Sequence, residues 1–494
     1  LESKGQIAKA EKKYLEDSMN APQNPQALIN LGSFYVRQEK NSKALDIFKR
    51  AQDLDKENPE IQYQIALLAF LEKKYEESEL RIDKILETDK NHDQANFLKG
   101  RLHFSRKEFP LALKRFQAVI AENPGHAMAR FYKAQCLLDK GKSDLPGQDL
   151  FRVAAGYKTS ESWERKLAKD ELEQSLKINP NFSAARLLLI DILLGNKDIL
   201  PARRHIIHFL KKEPENIQVL IFAGKLKLLQ EDFKGAEQIY QSILKRHPDF
   251  AAGYVSFGIA LNKSEKPAQA LEAFDKALNI NPDQMDALHH IVGIHMQEKN
   301  VEKALAACDL HRNKFETDSP SLAIIDLIQG RVFMTTGQIN KAEKHFKHSV
   351  ERLPDLSASY EQLAIIGEFR KDMDGAVQNY ERLLELTPEH LPAYLNLSRI
   401  YKIKGDMQKA KDYLKKALDI RKDFAPAANN LAFILAETNT SLYEALRLAK
   451  TARDKEPNNP NYLDTLGWIY YLQGSHDLAL AVLKESLEID PHSP

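Results

Sequence analysis

Residues 461–491 read "NYLDTLGWIYYLQGSHDLALAVLKESLEIDP". Two apolar runs at helical spacing, split by "QGSHD" and closed by a proline, are the pattern of two short amphipathic helices joined by a turn. A dense cluster of aromatics such as this one would suit a ligand pocket or a membrane anchor if it stood alone. It does not stand alone. "AGYVSFGIALNKSEKPAQALEAFDKALNINP" at 252–282 and "AYLNLSRIYKIKGDMQKAKDYLKKALDI" at 393–420 repeat the order of small residue, aromatic, alanine and bulky apolar residue. Pro180, Pro214, Pro248 and Pro282 fall 34 residues apart, and so do Ala202, Ala236, Ala270 and Ala304. The chain is a tandem array, in which one unit cannot bury its apolar faces alone and neighbours supply the missing surface.

The alanine position reads Ala10, Ala44, Ser78, Ala112, Ala168, Ala202, Ala236, Ala270, Ala304, Ala342, Ala376, Ala410, Ala445 and Ala479. Two antiparallel helices approach closely only where side chains are small, so Gly32, Gly100, Gly224, Gly258, Gly330 and Gly467 on the first helix (A) are expected to face the alanines of the second (B). Large residues such as Phe48, Phe116, Tyr240 and Phe274 fill the remaining space, and the closing proline stops helix B. The register gives a lone helix B at 1–24 and thirteen repeats starting at 25, 59, 93, 127, 183, 217, 251, 285, 323, 357, 391, 425 and 460.

This pattern resembles the tetratricopeptide repeat (TPR) family, whose 34-residue unit carries W-x-x-L-G-x-x-Y…A-x-x-x-F…P. In the last repeat Leu463, Leu466, Gly467 and Tyr470 stand at the W, L, G and Y positions, followed by Ala479, Leu483 and Pro491. The resemblance implies an all-α TPR solenoid, a right-handed superhelix of antiparallel helix pairs, running as one continuous array through 25–141 and 167–494. On this reading the aromatics of 463–474 are mostly a packing face of helix A.

Composition narrows the function. The 494 residues are 43% hydrophobic, and 71 basic residues against 70 acidic leave a net charge of +1, without the basic excess that favours nucleic acid. Mean hydropathy is −0.47, and no apolar run reaches the roughly 18 residues of a membrane helix, so no direct membrane span is expected. Cys136 and Cys308 are too few and too far apart for a disulfide framework or a metal-ligand pair. Cys308 occupies the large-residue core position of helix B, where it packs as a small hydrophobe. His205 with His208, His345 with His348, and "LHHIVGIH" at 288–295 lack H-E-x-x-H spacing or a CxxC companion, and no phosphate-binding glycine loop or G-x-S-x-G is present. Neither catalysis nor a cofactor is expected.

The array departs from itself at 142–166, which lengthens repeat four by 22 residues. "DLPG" signals a turn, "QDLFRVAAGY" can form a short helix, and Thr159 or Ser160 can cap a lengthened helix B containing Trp163. Insertions in solenoids often lie on a binding face, which makes Phe151, Tyr157 and Trp163 candidates; packing of the same residues onto neighbouring helices is the alternative. The ends are abrupt: the first residues lie inside a repeat, and "EIDPHSP" follows the last without a polar capping helix. A fragment of a longer protein is one expectation. Docking of the apolar edge around Ala481, Val482 and Leu487 on a partner or a second copy is the other.

The family resemblance places A helices along a concave groove that holds a protein or peptide partner. Its lining then reads Tyr63, Leu67, Phe70, Phe97, Arg101, Phe104, Phe131 and Gln135, followed by Leu187, Ile221, Lys225 and Leu228, an apolar and aromatic stretch that either receives a partner or is covered by its own neighbours. Further on come Arg331, Glu361, Asn396, Arg399, Lys402, Asn429, Asn430, Phe433 and Asp464, whose amides and guanidinium groups can bond a peptide backbone or carboxylate. Asn396, Arg399, Asn429 and Asn430 echo in part the clamp by which some TPR domains grip a C-terminal carboxylate, but 357–370 lacks its lysine and asparagine. The reading reached is a non-enzymatic scaffold, with a targeting arm of a larger enzyme or secretion machine as the alternative. The repeat texture is similar to bacterial cell-envelope TPR proteins linked to exopolysaccharide secretion, without the lipid-attachment cysteine of such lipoproteins.

Overall fold

The computed structural model describes residues 6–139, 163–317 and 319–491. Among them are 27 helices and no strand. A single helix, Ile7–Asn20, precedes thirteen hairpins, and each A helix packs most extensively on the B helix that follows it, except in repeat 5, where the preceding B helix is packed as closely. Contacts divide the helices into two compact units, one holding the first helix and repeats 1–6, the other repeats 7–13 from Asp249 onward. Repeat starts fall where the period puts them with one exception. Helix A of repeat 9 runs Pro320–Thr335 and begins three residues before 323, because Ser319 accepts a hydrogen bond from Ser321 N and Pro320 takes the first helical position.

The alanine position is buried in every repeat. Ser78 fits there because its hydroxyl donates to Ala66 O across the hairpin, at 2.8 Å. The glycines do something different from the expected glycine-to-alanine contact. A Cβ on Gly32, Gly100, Gly224, Gly258 or Gly330 would lie 2.4–2.7 Å from an atom of the ring sixteen residues on, namely Phe48, Phe116, Tyr240, Phe274 or Phe346. Glycine is therefore a cradle for one aromatic ring. Elsewhere the two positions trade volume: Ala432 stands with Leu448, and Val292 with Cys308. Cys308 is small because its register partner is large. It is fully buried, and burial pushes its thiol up to about 12, so it does not act as a nucleophile near neutral pH.

A second exchange occurs where the repeat pattern asks for a large apolar residue at the fourth register position of helix A. Five repeats put a polar side chain there, bonded to the B-helix residue nineteen positions on, or forty-one across the insertion. The pairs are Gln62 with Arg81 (2.9 Å), Asn96 with Arg115 (3.0 Å), Arg130 with Glu171 (2.7 Å), Arg186 with His205 (2.9 Å) and Asp326 with His345 (3.0 Å). The first four also donate to the carbonyl six residues back, at Lys56, Lys90, Pro124 and Pro180, satisfying the turn that enters the repeat. Burial and the adjacent Arg186 push His205 down to about 4, so the neutral ring accepts from the guanidinium. It is an interhelical histidine.

The A-to-B turn has its own rule. Glu39, Lys73, Lys107, Lys197, Glu231, Glu265, Lys299, Lys371 and Asn439 all have positive φ, where repeats 9, 11 and 13 use Gly337, Gly405 and Gly474. The next N–H reaches back to close the helix, as Lys74 N does to Ala69 O. A left-handed conformation costs an L-residue about 1–2 kcal/mol, partly offset by the backbone freedom glycine loses on folding. Lys73→Gly and Lys371→Gly, both exposed, are expected to stabilise their units by about 0.5–1 kcal/mol each. Urea denaturation of the two variants checks the sign.

Candidate partner-binding surface

Successive A helices pack on one another in many repeats, for example 5 and 6 and 12 and 13, and in repeats 10–12 they are bridged by Arg399 with Glu368 and Lys402 with Glu437, whereas successive B helices make no comparable contact. The face formed by the A helices is thus the continuous one. In the unit of repeats 1–6 this face is filled with rings. Phe97 lies 5.9 Å from Phe116, 4.6 Å from His126 and 5.8 Å from Tyr132; Phe104 lies 5.5 Å from Tyr132; Phe131 lies 5.0 Å from Phe182. Arg101 covers Phe70 at 4.4 Å. Tyr63, Leu67, Phe70 and Leu187 pack against the buried core beside them, and Gln135, Ile221 and Leu228 are half-buried, while Lys225 is exposed. The rings spend most of their surface on each other.

The A-helix face of repeats 10–13 is open by contrast. Phe369 (71% exposed), Ile403 (61%), Phe433 (37%), Trp468 (44%) and Tyr471 (53%) lie on it, with Ile365 beside them. The polarity read from Asn396, Arg399, Asn429 and Asn430 concealed this apolar strip, whose signal is the ninth, twelfth and thirteenth positions of helix A read together. Trp468 and Tyr471 stack at 5.6 Å and 18° on the exposed side, so the packing face of the last A helix is Tyr462, Leu463, Leu466, Gly467 and Ile469.

The polar groups divide into committed and open ones. Asn396 Nδ2 donates to Tyr380 Oη, which donates to Glu368, whose other oxygen pairs with Arg399. Glu361 lies 3.5 Å from His390, and Lys402 lies 3.0 Å from Glu437. Asn429 is buried, yet its Oδ1 accepts no hydrogen bond among the described residues; Asn430 is exposed next to it. The Asn429 oxygen is closed off from solvent, so it is an unmet acceptor inside the face and not a contact offered on it. Arg331 is half-buried on the A helix of repeat 9.

That same helix holds the most enclosed charge of this unit. Asp326 Oδ1 accepts from Arg312 (2.7 Å) and His345 (3.0 Å), and Oδ2 faces Arg352 at 3.4 Å; the cluster borders a pocket of about 290 Å³ with Asp309, Gln329 and His348. Burial raises the Asp326 carboxyl, but the bonds from His345 and Arg312 outweigh it and hold the group below its ordinary value. Its contribution to stability is complete above the ordinary carboxyl range and is lost as pH falls through the lowered value. Asp326→Asn is expected to flatten the acid limb of the unfolding curve for repeats 8–9, measured by hydrogen exchange against pH.

Phe151 and Tyr157 lie outside the described residues, as do the expected short helix and the caps Thr159 and Ser160; helix B of repeat 4 starts at Trp163. The expected apolar edge at the last helix is present, with Ala481 and Leu487 exposed and Val482 half-buried. No group of three or more histidine, cysteine or acidic side chains suited to a metal ion occurs among the described residues. Nor is any described helix long and apolar enough to cross a membrane.

Family models described as tetratricopeptide repeat match residues 27–60, 97–158, 222–284, 391–424 and 433–494. The chain belongs to the tetratricopeptide repeat family. Among curated proteins, the TPR chain is 25% identical over 135 residues to human protein O-mannosyl-transferase TMTC3, covering 27% of this chain and 14% of that protein. Over 172 residues it is 25% identical to a probable UDP-N-acetylglucosamine–peptide N-acetylglucosaminyltransferase, SPINDLY, of Hordeum vulgare, covering 34% and 18%. Over 158 residues it is 22% identical to human N-alpha-acetyltransferase 16, NatA auxiliary subunit, covering 31% and 18%. The matched stretches span less than a fifth of those relatives. Two solved structures align along nearly the whole chain. The Cut9–Hcn1 hetero-tetramer of APC/C shares 15% identity over 98% of this chain and 94% of that one, with a TM-score of 0.39. Naa15/Naa10 bound to HypK-THB shares 13% over 100% and 92%, with a TM-score of 0.40.

Proposed function

We propose that the chain is a non-enzymatic protein-interaction scaffold whose A-helix face in repeats 10–13 holds an extended segment of a partner protein. The observation that carries this reading is the exposed strip from Phe369 through Ile403 and Phe433 to Trp468 and Tyr471. Apolar side chains of a partner bury against the strip. The ring-filled face of repeats 2–4 stiffens its own unit and leaves less surface for a partner. A carboxylate clamp is disfavoured, because Asn396 and Arg399 are engaged with Tyr380 and Glu368.

Selection of a random peptide library on the intact chain tests the surface. Recovered peptides are expected to lose at least about tenfold in affinity on Phe433→Glu or Tyr471→Glu, with helical content unchanged. Binders indifferent to both substitutions would remove this face as the site.

The names of the relatives support a second reading, in which these repeats are the targeting or regulatory arm of a larger enzyme assembly. Two of those relatives are named as transferases and one as an auxiliary subunit of an acetyltransferase. The two readings share the surface and differ in what it delivers: the second requires that a captured partner be modified by an activity associated with this chain.

A further inference from the structure

We propose that Asp464, Trp468 and Tyr471 form a seat for a cationic side chain, arginine or lysine, of the partner segment. The inference rests on the reading of the A-helix face as the binding surface and adds to it the chemistry of one anchor.

The argument comes from how the array covers its own exposed positions. The twelfth residue of one A helix meets the ninth of the next, 31 residues on, and in three repeat pairs that contact is a cation on a ring or an ion pair. Arg101 stands over Phe70 at 4.4 Å, Arg399 pairs with Glu368, and Lys402 stands over Phe433 at 4.4 Å with Glu437 at 3.0 Å. In the last of these a cation lies between an aromatic face and a carboxylate one helical turn away from that ring. Repeat 13 also pairs a ring with a carboxylate one turn away, here before the ring where Glu437 follows Phe433, and no cation stands on that ring among the described residues. Its ninth residue is Trp468, the aromatic with the strongest attraction for cations, stacked on Tyr471. Asp464 lies one turn before Trp468 on the same face. The position that supplies Lys402 one repeat earlier is Ala436, which cannot reach.

The surroundings agree in charge. Asp464 has no hydrogen-bond or ion-pair partner among the described residues, and burial alone raises its carboxyl above the ordinary value, as for an acid without a nearby cation. Repeat 13 carries Asp464, Asp477, Glu485, Glu488 and Asp490 against the one Lys484. The His476 ring flanks Tyr471 at 5.4 Å and leaves Trp468 open. A guanidinium or ammonium group on the Trp468 face would lie between a ring and a carboxylate, as Lys402 does between Phe433 and Glu437, with the carboxylate on the other side of the ring.

The experiment uses peptides selected on the intact chain, with affinities read by fluorescence anisotropy. Peptides that depend on Phe433 are expected to share an arginine or lysine, and replacing that residue by glutamine is expected to cost about tenfold in affinity. Asp464→Asn and Trp468→Leu are expected to cost about the same on the parent peptide and little on the glutamine peptide. Ala436→Lys, which places a lysine in the register of Lys402, is expected to weaken the parent peptide by filling the seat from within. Ala436 is buried, so Asp464→Asn, a near-isostere on the half-buried face, keeps the test decisive if the lysine variant misfolds. Peptides that need Phe433 but carry no shared cation, or whose binding ignores Asp464→Asn, overturn the seat and leave the surface standing. Selection of peptides indifferent to Phe433, or of none, removes both.

Discussion

Gly258→Ala is expected to destabilise the unit of repeats 7–13 by about 1–3 kcal/mol, although alanine is the better helix former by about 1 kcal/mol. The sign is decided by space. A Cβ at Gly258 would stand 2.6 Å from Phe274 Cε1, and Phe274 is fully buried with no room to retreat. The same position in repeat 12 is Ala432, which stands with Leu448, so Phe274→Leu should relieve the clash that the new methyl creates. The double variant is therefore expected to lose less than the sum of the two single ones, with a coupling of about 1 kcal/mol or more in a double-mutant cycle read by urea denaturation. A neutral or stabilising Gly258→Ala would refute the cradle.

Glu171→Ala is expected to cost about 3–5 kcal/mol and to open repeat 4 first. Glu171 accepts from Arg130 Nη1 and Lys133 Nζ, both at 2.7 Å, and all three side chains are largely withdrawn from water. Removing the carboxylate leaves two cations facing one another in a poorly solvated space. Ser175 also ties the two helices together, its hydroxyl donating to Ala127 O at 2.9 Å. Repeat 6 has Leu220, Ala223 and Ile239 in the three corresponding places. Arg130→Leu with Lys133→Ala and Glu171→Ile is accordingly expected to be neutral or stabilising, since an apolar trio carries no desolvation penalty. Thermal unfolding followed by hydrogen exchange in 127–139 separates the two outcomes.

The fold was legible because it is written many times. The alanine series from Ala10 to Ala479 fixed the register in advance of any coordinates, and repeat 9 alone moved its start, through the local cap at Ser319 and Pro320. What the sequence hid was pairwise. Glycine and alanine are both small, so composition could not tell that Gly330 receives Phe346 while Ala342 serves the hairpin elsewhere. The surface was harder still. Phe97 and Phe433 are both phenylalanines on A-helix faces, and the difference between a ring lost among three others and a ring open to solvent depends on neighbours two helices away. Asp326 stands at a core register position, where it is met by Arg312 from the preceding repeat.

The polar residues that replace the apolar side chain at the fourth register position of helix A have a bearing on how such arrays grow and shrink. Gln62, Asn96, Arg130 and Arg186 each find their bonded partners inside their own hairpin and in the loop just ahead of it. A segment duplicated or deleted as a whole, together with that loop, carries both halves of every such bond and strands neither. Asp326, which borrows Arg312 from the hairpin before it, marks a junction where the cut could not be made so freely.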